Sequence, residues 1–226
     1  MSLSLLSLLQ LSDPALPIGG YAHSGGLETY VQEGVVCDVT SATRFVRDML
    51  STNLRYTDAA LVGLAYGAMC GGEIAVTSGV APGVAGLEEL DRLCEAVKMP
   101  KEIREASRKL GTRLLKVFEK ICGDGYKPKH YSVAFGYVAG KLGVGLREAL
   151  TGFYYNAAAG MVTNCVKLIP IGQQDGQDLL FGLQPLIAEL VEKSLEPDVE
   201  MIGLCCTGLD IRCMQHEKLY SRLYMS

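Results

Sequence analysis

Charge is scarce in this chain and its balance is negative: only 20% of the 226 residues are Asp, Glu, Lys or Arg, and the net charge is −4. A protein whose main task is to neutralise nucleic-acid phosphates needs the opposite balance, so nucleic acid is set aside as a partner. Also missing is any run of about 18 uninterrupted apolar residues, so no membrane partner is expected either. The leucine-rich opening, Met1 to Leu11, lacks the basic n-region and small-residue cleavage site of a secretory leader, and Asp13-Pro14 follow at once. It reads as a short core helix of a cytoplasmic protein. Internal repeats and linkers between composition zones are absent. Strand patterns are poor, because Glu73 to Val80 alternates over too few residues, and Gly79, Pro82, Gly83 and Gly86 mark a mobile loop.

What the chain does have is apolar residues, 49% of the total, with a mean hydropathy of +0.20. Extended disorder is excluded, and the surplus must go into a deep core or a protein interface. Its eight cysteines lie scattered at Cys37, Cys70, Cys94, Cys122, Cys165, Cys205, Cys206 and Cys213, several inside helical patterns. They are expected to be free thiols in a reducing cytosol, packed as small hydrophobes.

Helical periods organise the rest. Ile103, Ala106, Leu110, Leu114, Val117 and Ile121 form one stripe, between Pro100 as a start signal and Gly123 and Gly125 as stops. Phe45, Met49 and Leu50 begin a helix capped by Asp38, Thr40 or Ser41, and a second apolar run spans Ala59 to Met69 before Gly71-Gly72. A shorter helix covers Leu87 to Val97. Leu146 to Leu168 is apolar on nearly all sides, as a central buried helix requires. A last long helix is expected from about Asp175 to Leu195, with Leu179, Leu183, Leu186 and Leu190 on one side. The fold class is therefore all-α, a single-domain bundle of about eight to ten helices of ordinary length.

Several motifs approach a chemistry without reaching it. Gly136-Tyr-Val-Ala-Gly140-Lys141 has three residues between its glycines and Leu142 after the lysine, whereas a phosphate loop needs four and a hydroxyl. Close helix packing is the better account of those glycines. Ala22-His23-Ser24-Gly25-Gly26 lacks the glycine and the preceding strand of a nucleophile elbow, and His23 and Ser24 have no acidic orienter placed by sequence. Cys205, Cys206, Cys213 and His216 fall within twelve residues and are chemically able to hold a soft or borderline metal, although the spacing matches no Cys-x-x-Cys knuckle. Lys98 to Lys129 holds ten basic residues against four acidic ones, a solvated helix face that could also steer an acidic partner.

Blocks along nearly the whole chain resemble the UreF family of urease accessory proteins. The first is Leu8 to Glu28, reading LLQLSDPALPIGGYAHSGGLE. It is followed by Arg104 to Ser107 with Gly111, His130-Tyr131, Phe135-Gly136, Val166 to Gln173, Asp175-Gly-Gln177, Leu209 to Ile211, Met214, His216-Glu217 and Tyr220 to Leu223. The resemblance implies an all-α homodimer with no catalytic activity and no cofactor. It implies a role as an adaptor in nickel delivery, linking the GTPase UreG to UreH (also called UreD) and apo-urease. Lys167, Gln173, Gln177, Ile211, Met214, His216, Tyr220 and Arg222 are the partner-binding residues on this reading. The chain then divides into a domain, residues 1–204, and a partner-binding tail, residues 205–226, mobile or differently packed until a partner orders it. The alternative is a metal-carrying chaperone that binds nickel through Cys205, Cys206, Cys213 and His216.

Overall fold

Local capping chemistry starts the first long helix where the sequence places it. The Asp38 carboxylate accepts the Ser41 N–H at 2.7 Å, and the Ser41 hydroxyl oxygen accepts the Asp38 N–H at 3.1 Å. This reciprocal box satisfies donors that the first helical turn leaves open. The computed structural model describes residues 3–70, 84–123, 126–204 and 206–226. Its helices in chain order are α1 (Leu3–Leu11), α2 (Leu27–Gln32), α3 (Val39–Met49), α4 (Ala60–Cys70), α5 (Val84–Val97), α6 (Lys101–Val117), α7 (Glu119–Cys122), α8 (Tyr131–Lys141), α9 (Leu146–Leu168), α10 (Gln173–Gly182), α11 (Gln184–Ser194) and α12 (Thr207–His216). No strand occurs among the described residues. The all-α reading holds. The expected loop from Glu73 to Val80 and the stops at Gly71-Gly72 and Gly125 lie outside the described residues.

α9 is the central helix that its all-round apolar pattern requires, and α1, α2, α3, α4, α8, α10 and α11 all pack on it. Leu150, Tyr154, Phe135 and Leu61 are completely buried around it. Phe135 and Phe153 meet edge-on with ring centroids 5.0 Å apart. The Tyr154 hydroxyl does not waste its burial: it lies 2.8 Å from the Ser194 hydroxyl of α11.

Three helix boundaries differ from the sequence reading, each for a local reason. α3 does not end before α4; a π-helical segment, Leu50–Ala59, joins them into one continuous element. The segment carries Asp58 to the buried Lys98, whose ammonium lies 2.8 and 3.0 Å from the two carboxylate oxygens. The α6 stripe breaks at Phe118, so that Phe118 and Cys122 turn inward while Val117 and Ile121 face solvent. The helix expected over Asp175 to Leu195 is divided at Leu183, because Pro185 lacks an N–H and fits the first turn of a new helix.

The opening helix is the clearest correction. α1 was expected in the core, yet Leu3 is 80% exposed, Leu5, Leu6 and Leu9 are also exposed, and Leu11 alone among its residues is buried. Nine residues with leucine on every side cannot all face one neighbour, so α1 rests on α9 by one edge and leaves an apolar face in solvent.

The expectation that Gly136 and Gly140 serve packing is met. A Cβ on Gly136 would collide with the Val62 carbonyl and meet the Ala65 Cβ at 3.0 Å, and one on Gly140 would meet the Met69 Cβ at 3.0 Å. α4 and α8 therefore touch backbone to backbone. Gly136→Ala is expected to lower the stability by about 1–3 kcal/mol through overpacking. Gly160→Ala, where a Cβ meets nothing within 4 Å, should leave it unchanged or raise it. Urea denaturation midpoints of the two variants check this, and equal midpoints would contradict the backbone crossing.

Candidate functional site

The loop before α2 is built to receive another part of the chain. Gly26 has φ +88°, a region L side chains avoid, and a Cβ there would lie 2.7 Å from the Cys213 sulfur. Glycine at this position lets α12 close onto the start of α2. Two residues on, Glu28 is only 2% exposed, and an ionised carboxylate at that depth must find donors. All of them come from the far end of the sequence. Glu28 Oε1 accepts the Leu223 N–H at 2.7 Å, while Oε2 accepts the Tyr224 N–H at 3.1 Å and lies 3.0 Å from His216 Nε2.

His216 is completely buried, and its other nitrogen, Nδ1, lies 2.7 Å from Glu102 Oε2 on α6. Arg222 donates to Glu102 Oε1 at 2.7 Å. Thr29 donates to the Arg212 carbonyl at 3.0 Å, and Arg212 pairs with Glu33. Further along, the Ser24 N–H, the Gly25 N–H and the Ser24 hydroxyl all donate to the Ser226 carbonyl oxygen, and His23 Nδ1 lies 2.8 Å from the Ser226 hydroxyl. His23 and Ser24 therefore do not face each other as base and nucleophile; both turn to the tail. The tail is docked on its own domain.

This arrangement sorts the sequence-derived residues. Ile211, Met214 and Tyr220 point into solvent, joined there by Leu223 and Met225. His216 points inward, and Arg222 anchors the tail to Glu102. The helix ends at His216, so Leu219 and Leu223 do not continue its apolar side as the spacing suggested. Lys167 lies exposed in the last turn of α9, and Gln173 and Gln177 are exposed on α10. Lys167 lines a cavity of about 300 Å³ together with Tyr21, His23, Leu110, Tyr131 and Asn164. His23 thus borders both the Lys167 cavity and the docked tail.

Among the described residues, the thiol and imidazole groups considered as ligands form no metal-type cluster. His216 has both ring nitrogens engaged by carboxylates, Cys213 is buried with its thiol pushed up to about 12 by burial, and Cys205 lies outside the described residues. No group of three or more His, Cys, Asp or Glu suited to a metal ion occurs among the described residues. The cysteines that are described are all free thiols.

Sequence reasoning missed one chemically suggestive cluster. His130 lies with Nδ1 3.1 Å from the Ser107 hydroxyl and Nε2 2.9 Å from Glu95, the order of groups in a serine nucleophile triad. Ser107 is only 7% exposed, however, and its oxygen also accepts the Tyr131 N–H at 3.2 Å. Glu95 is shared with Arg104 and Arg108. The cluster fastens α5, α6 and the start of α8, helped by Asp91, which accepts the Lys129 and His130 N–H groups and the Tyr126 hydroxyl. Its members come from three separated elements, and no sequence spacing announces it.

These features define an all-α scaffold whose buried polar groups join its own elements and whose apolar side chains stand in solvent on α1 and along the tail. The chain belongs to the UreF family, whose profile matches residues 36–184. It is 44% identical to the urease accessory protein UreF of Actinobacillus pleuropneumoniae serotype 3 (strain JL03), over 97% of this chain and 98% of that protein. Identity to the protein of the same name from Haemophilus influenzae (strain ATCC 51907 / DSM 11121 / KW20 / Rd) is 42%, over 97% of this chain and 94% of the relative. For that of Arthrobacter sp. (strain FB24) it is 35%, over 98% and 96%.

Burial, reinforced by the charges of Lys109 and Arg113, holds His23 below its ordinary value of 6.5 despite Glu102. A depressed histidine binds its proton less readily folded than unfolded, so its contribution to stability is present above that value and is lost as the pH falls below it. Denaturation of the wild type and His23→Gln at stepped pH should show the wild type losing stability relative to the variant below about pH 6.5. A constant difference across that range would contradict the buried neutral ring.

Proposed function

We propose that the chain is a non-enzymatic adaptor in nickel metallocentre assembly, working as a cytoplasmic homodimer that links the GTPase UreG to UreH/UreD and apo-urease. The observation that carries this reading is the orientation of the tail. Its polar groups are fastened to α2 and α6, while Ile211, Met214, Tyr220, Leu223 and Met225 are held in solvent. Holding several large apolar side chains of one short segment outward is unfavourable unless a partner covers them, and exposed apolar patches mark interaction sites. Residues 205–226 are accordingly assigned to UreH, with Ile211, Met214 and Tyr220 as direct contacts and His216 and Arg222 as the groups that hold the presenting surface in shape.

Lys167, with Gln173 and Gln177, is assigned to UreG. The ammonium stands at the end of α9, exposed beside the His23 cavity. The exposed leucines of α1 supply an apolar face for the homodimer. Nickel is cargo on this reading, passed within the complex.

Co-purification of the tagged chain with UreH and UreG tests the assignment. Met214→Asp and Tyr220→Asp sit on the solvent side, so each should weaken UreH association about tenfold or more while leaving the urea midpoint unchanged. Lys167→Ala should lower UreG recruitment and urease activation with helicity intact. Failure of the wild type to form any complex would overturn the adaptor reading, and full UreH binding by both Asp variants would overturn the tail assignment.

A further inference from the structure

The tail is held to the domain through an imidazole placed between two carboxylates, and the hydrogen count at that node is informative. A neutral imidazole has one N–H and one lone pair, and an ionised carboxylate only accepts. Nε2 lies 3.0 Å from Glu28 Oε2 and Nδ1 lies 2.7 Å from Glu102 Oε2, so both contacts are hydrogen bonds only if a proton occupies each. Both carboxylates have reasons to stay ionised. Glu28 already accepts two backbone N–H groups, and Glu102 accepts from the Arg222 guanidinium. The docked arrangement therefore contains one proton more than the same groups hold with a neutral ring and two carboxylates.

Charges facing the node balance in that state. α2 contributes Glu28, α6 contributes Glu102 and the tail contributes Arg222, so the imidazolium brings two negative groups against two positive ones. On α12 itself, Cys213 stays a neutral thiol, its value pushed up to about 12 by burial. Cys165 of α9 is neutral for the same reason. Lys98, which precedes α6, is bound to Asp58. His23, in the loop, is kept neutral by burial and by Lys109 and Arg113. Removing the ring proton leaves a lone pair facing a carboxylate at hydrogen-bond distance and one buried negative charge in excess. The backbone bonds from Ser24 and Gly25 to Ser226 and from Met225 to Ala22 do not change with this proton, and the buried Tyr224 hydroxyl, which has no hydrogen-bond partner among the described residues, makes docking less favourable.

We propose that docking of residues 217–226 onto α2 and α6 takes up one proton, held between Glu28, His216 and Glu102, so that raising the pH releases the tail. The pH of the surroundings then sets how often the seat on Glu28, Glu102 and the Ser24–Gly25 loop is open. The proposal concerns the isolated chain and stands apart from which partner uses the tail.

Nitrogen-15 NMR of the full chain tests it directly, comparing about pH 5.5 with about pH 8.5, the range across which histidine charge changes. At the lower pH both His216 ring nitrogens are expected to carry protons, and the Leu223 and Tyr224 amides to show shifts displaced from unstructured positions. At the higher pH the ring should become a single neutral tautomer and those two amides should move to unstructured positions. In His216→Gln, which supplies one donor group and does not titrate, the two amides should no longer shift together between these pH values. Tail amides that stay docked, or stay free, at both pH values in the wild type would overturn the proposal, whether or not the variant folds. An unchanged pH-dependent release in His216→Gln would overturn it as well.

Discussion

A carboxylate 2% exposed at the start of a short helix sets the terms for this whole side of the molecule. α2 is six residues long, too short to be stable alone, and Glu28 finds no cation within it. The charge can be kept at that depth only if donors are brought to it, and the chain supplies them from almost 200 residues away. From this requirement the path of the tail follows. His216 must lie on the inner side of α12, which puts Ile211 and Met214 on the outer side. Leu223 and Tyr224 must present backbone N–H groups to Glu28, which lays residues 217–226 out without a helix and turns the Tyr220 ring into water.

The same economy governs the bundle interior. Asp58 and Lys98 form a buried pair, in which burial works against the ammonium charge while Asp58 and, to a lesser extent, Cys94 favour it, the balance holding Lys98 above its ordinary value. Removing one partner from such a pair leaves an uncompensated buried charge, a much larger loss than the pair's net contribution. The π segment is what puts Asp58 there, and Asp58, Lys98, Cys206 and Cys213 share the lining of a cavity of about 150 Å³ between α12 and the α5–α6 turn. α12 is thus set between two ionic anchors, Glu28 with Glu102 on one side and Asp58 with Lys98 near the other. Both anchors join elements distant in sequence, so they act only once α4, α6, α8 and α9 are packed. α4 and α8 reach that packing through Gly136, where no side chain separates the backbones.

Period and punctuation made much of this legible. Leu146 to Leu168 announced α9 because a helix apolar on every side has no solvent face to offer. Asp38 and Ser41 announced a helix start because their side chains reach only local N–H groups. Pro185 was also readable as a break, and the leucine spacing around it hid that. The node could not be read. Glu28, Glu102 and His216 are separated by 74 and 114 residues, and each looks like an ordinary surface residue until the fold brings them together. Ser107, Glu95 and His130 were hidden for the same reason. α1 was misread because leucine content indicates how apolar a segment is, and says nothing about whether this domain has room to bury it.

How the polar and apolar groups are distributed bears on what kind of work the molecule can do. A reaction centre needs titratable groups with free valence in a cleft, able to gain or lose a proton or electron pair to a substrate. Here the three histidines are each committed: His23 to Ser226, His130 to Ser107 and Glu95, His216 to Glu28 and Glu102. The described buried thiols whose ionisation is shifted are all held protonated by burial, which disfavours the free thiolate that a nucleophile requires. Polar groups thus fix geometry inside, while apolar side chains stand outside on α1 and along the tail. The tail adds one property that a rigid bundle lacks: it is fastened through a few polar contacts with Glu28 and Glu102, so the surface it presents can change without any change in the bundle beneath it.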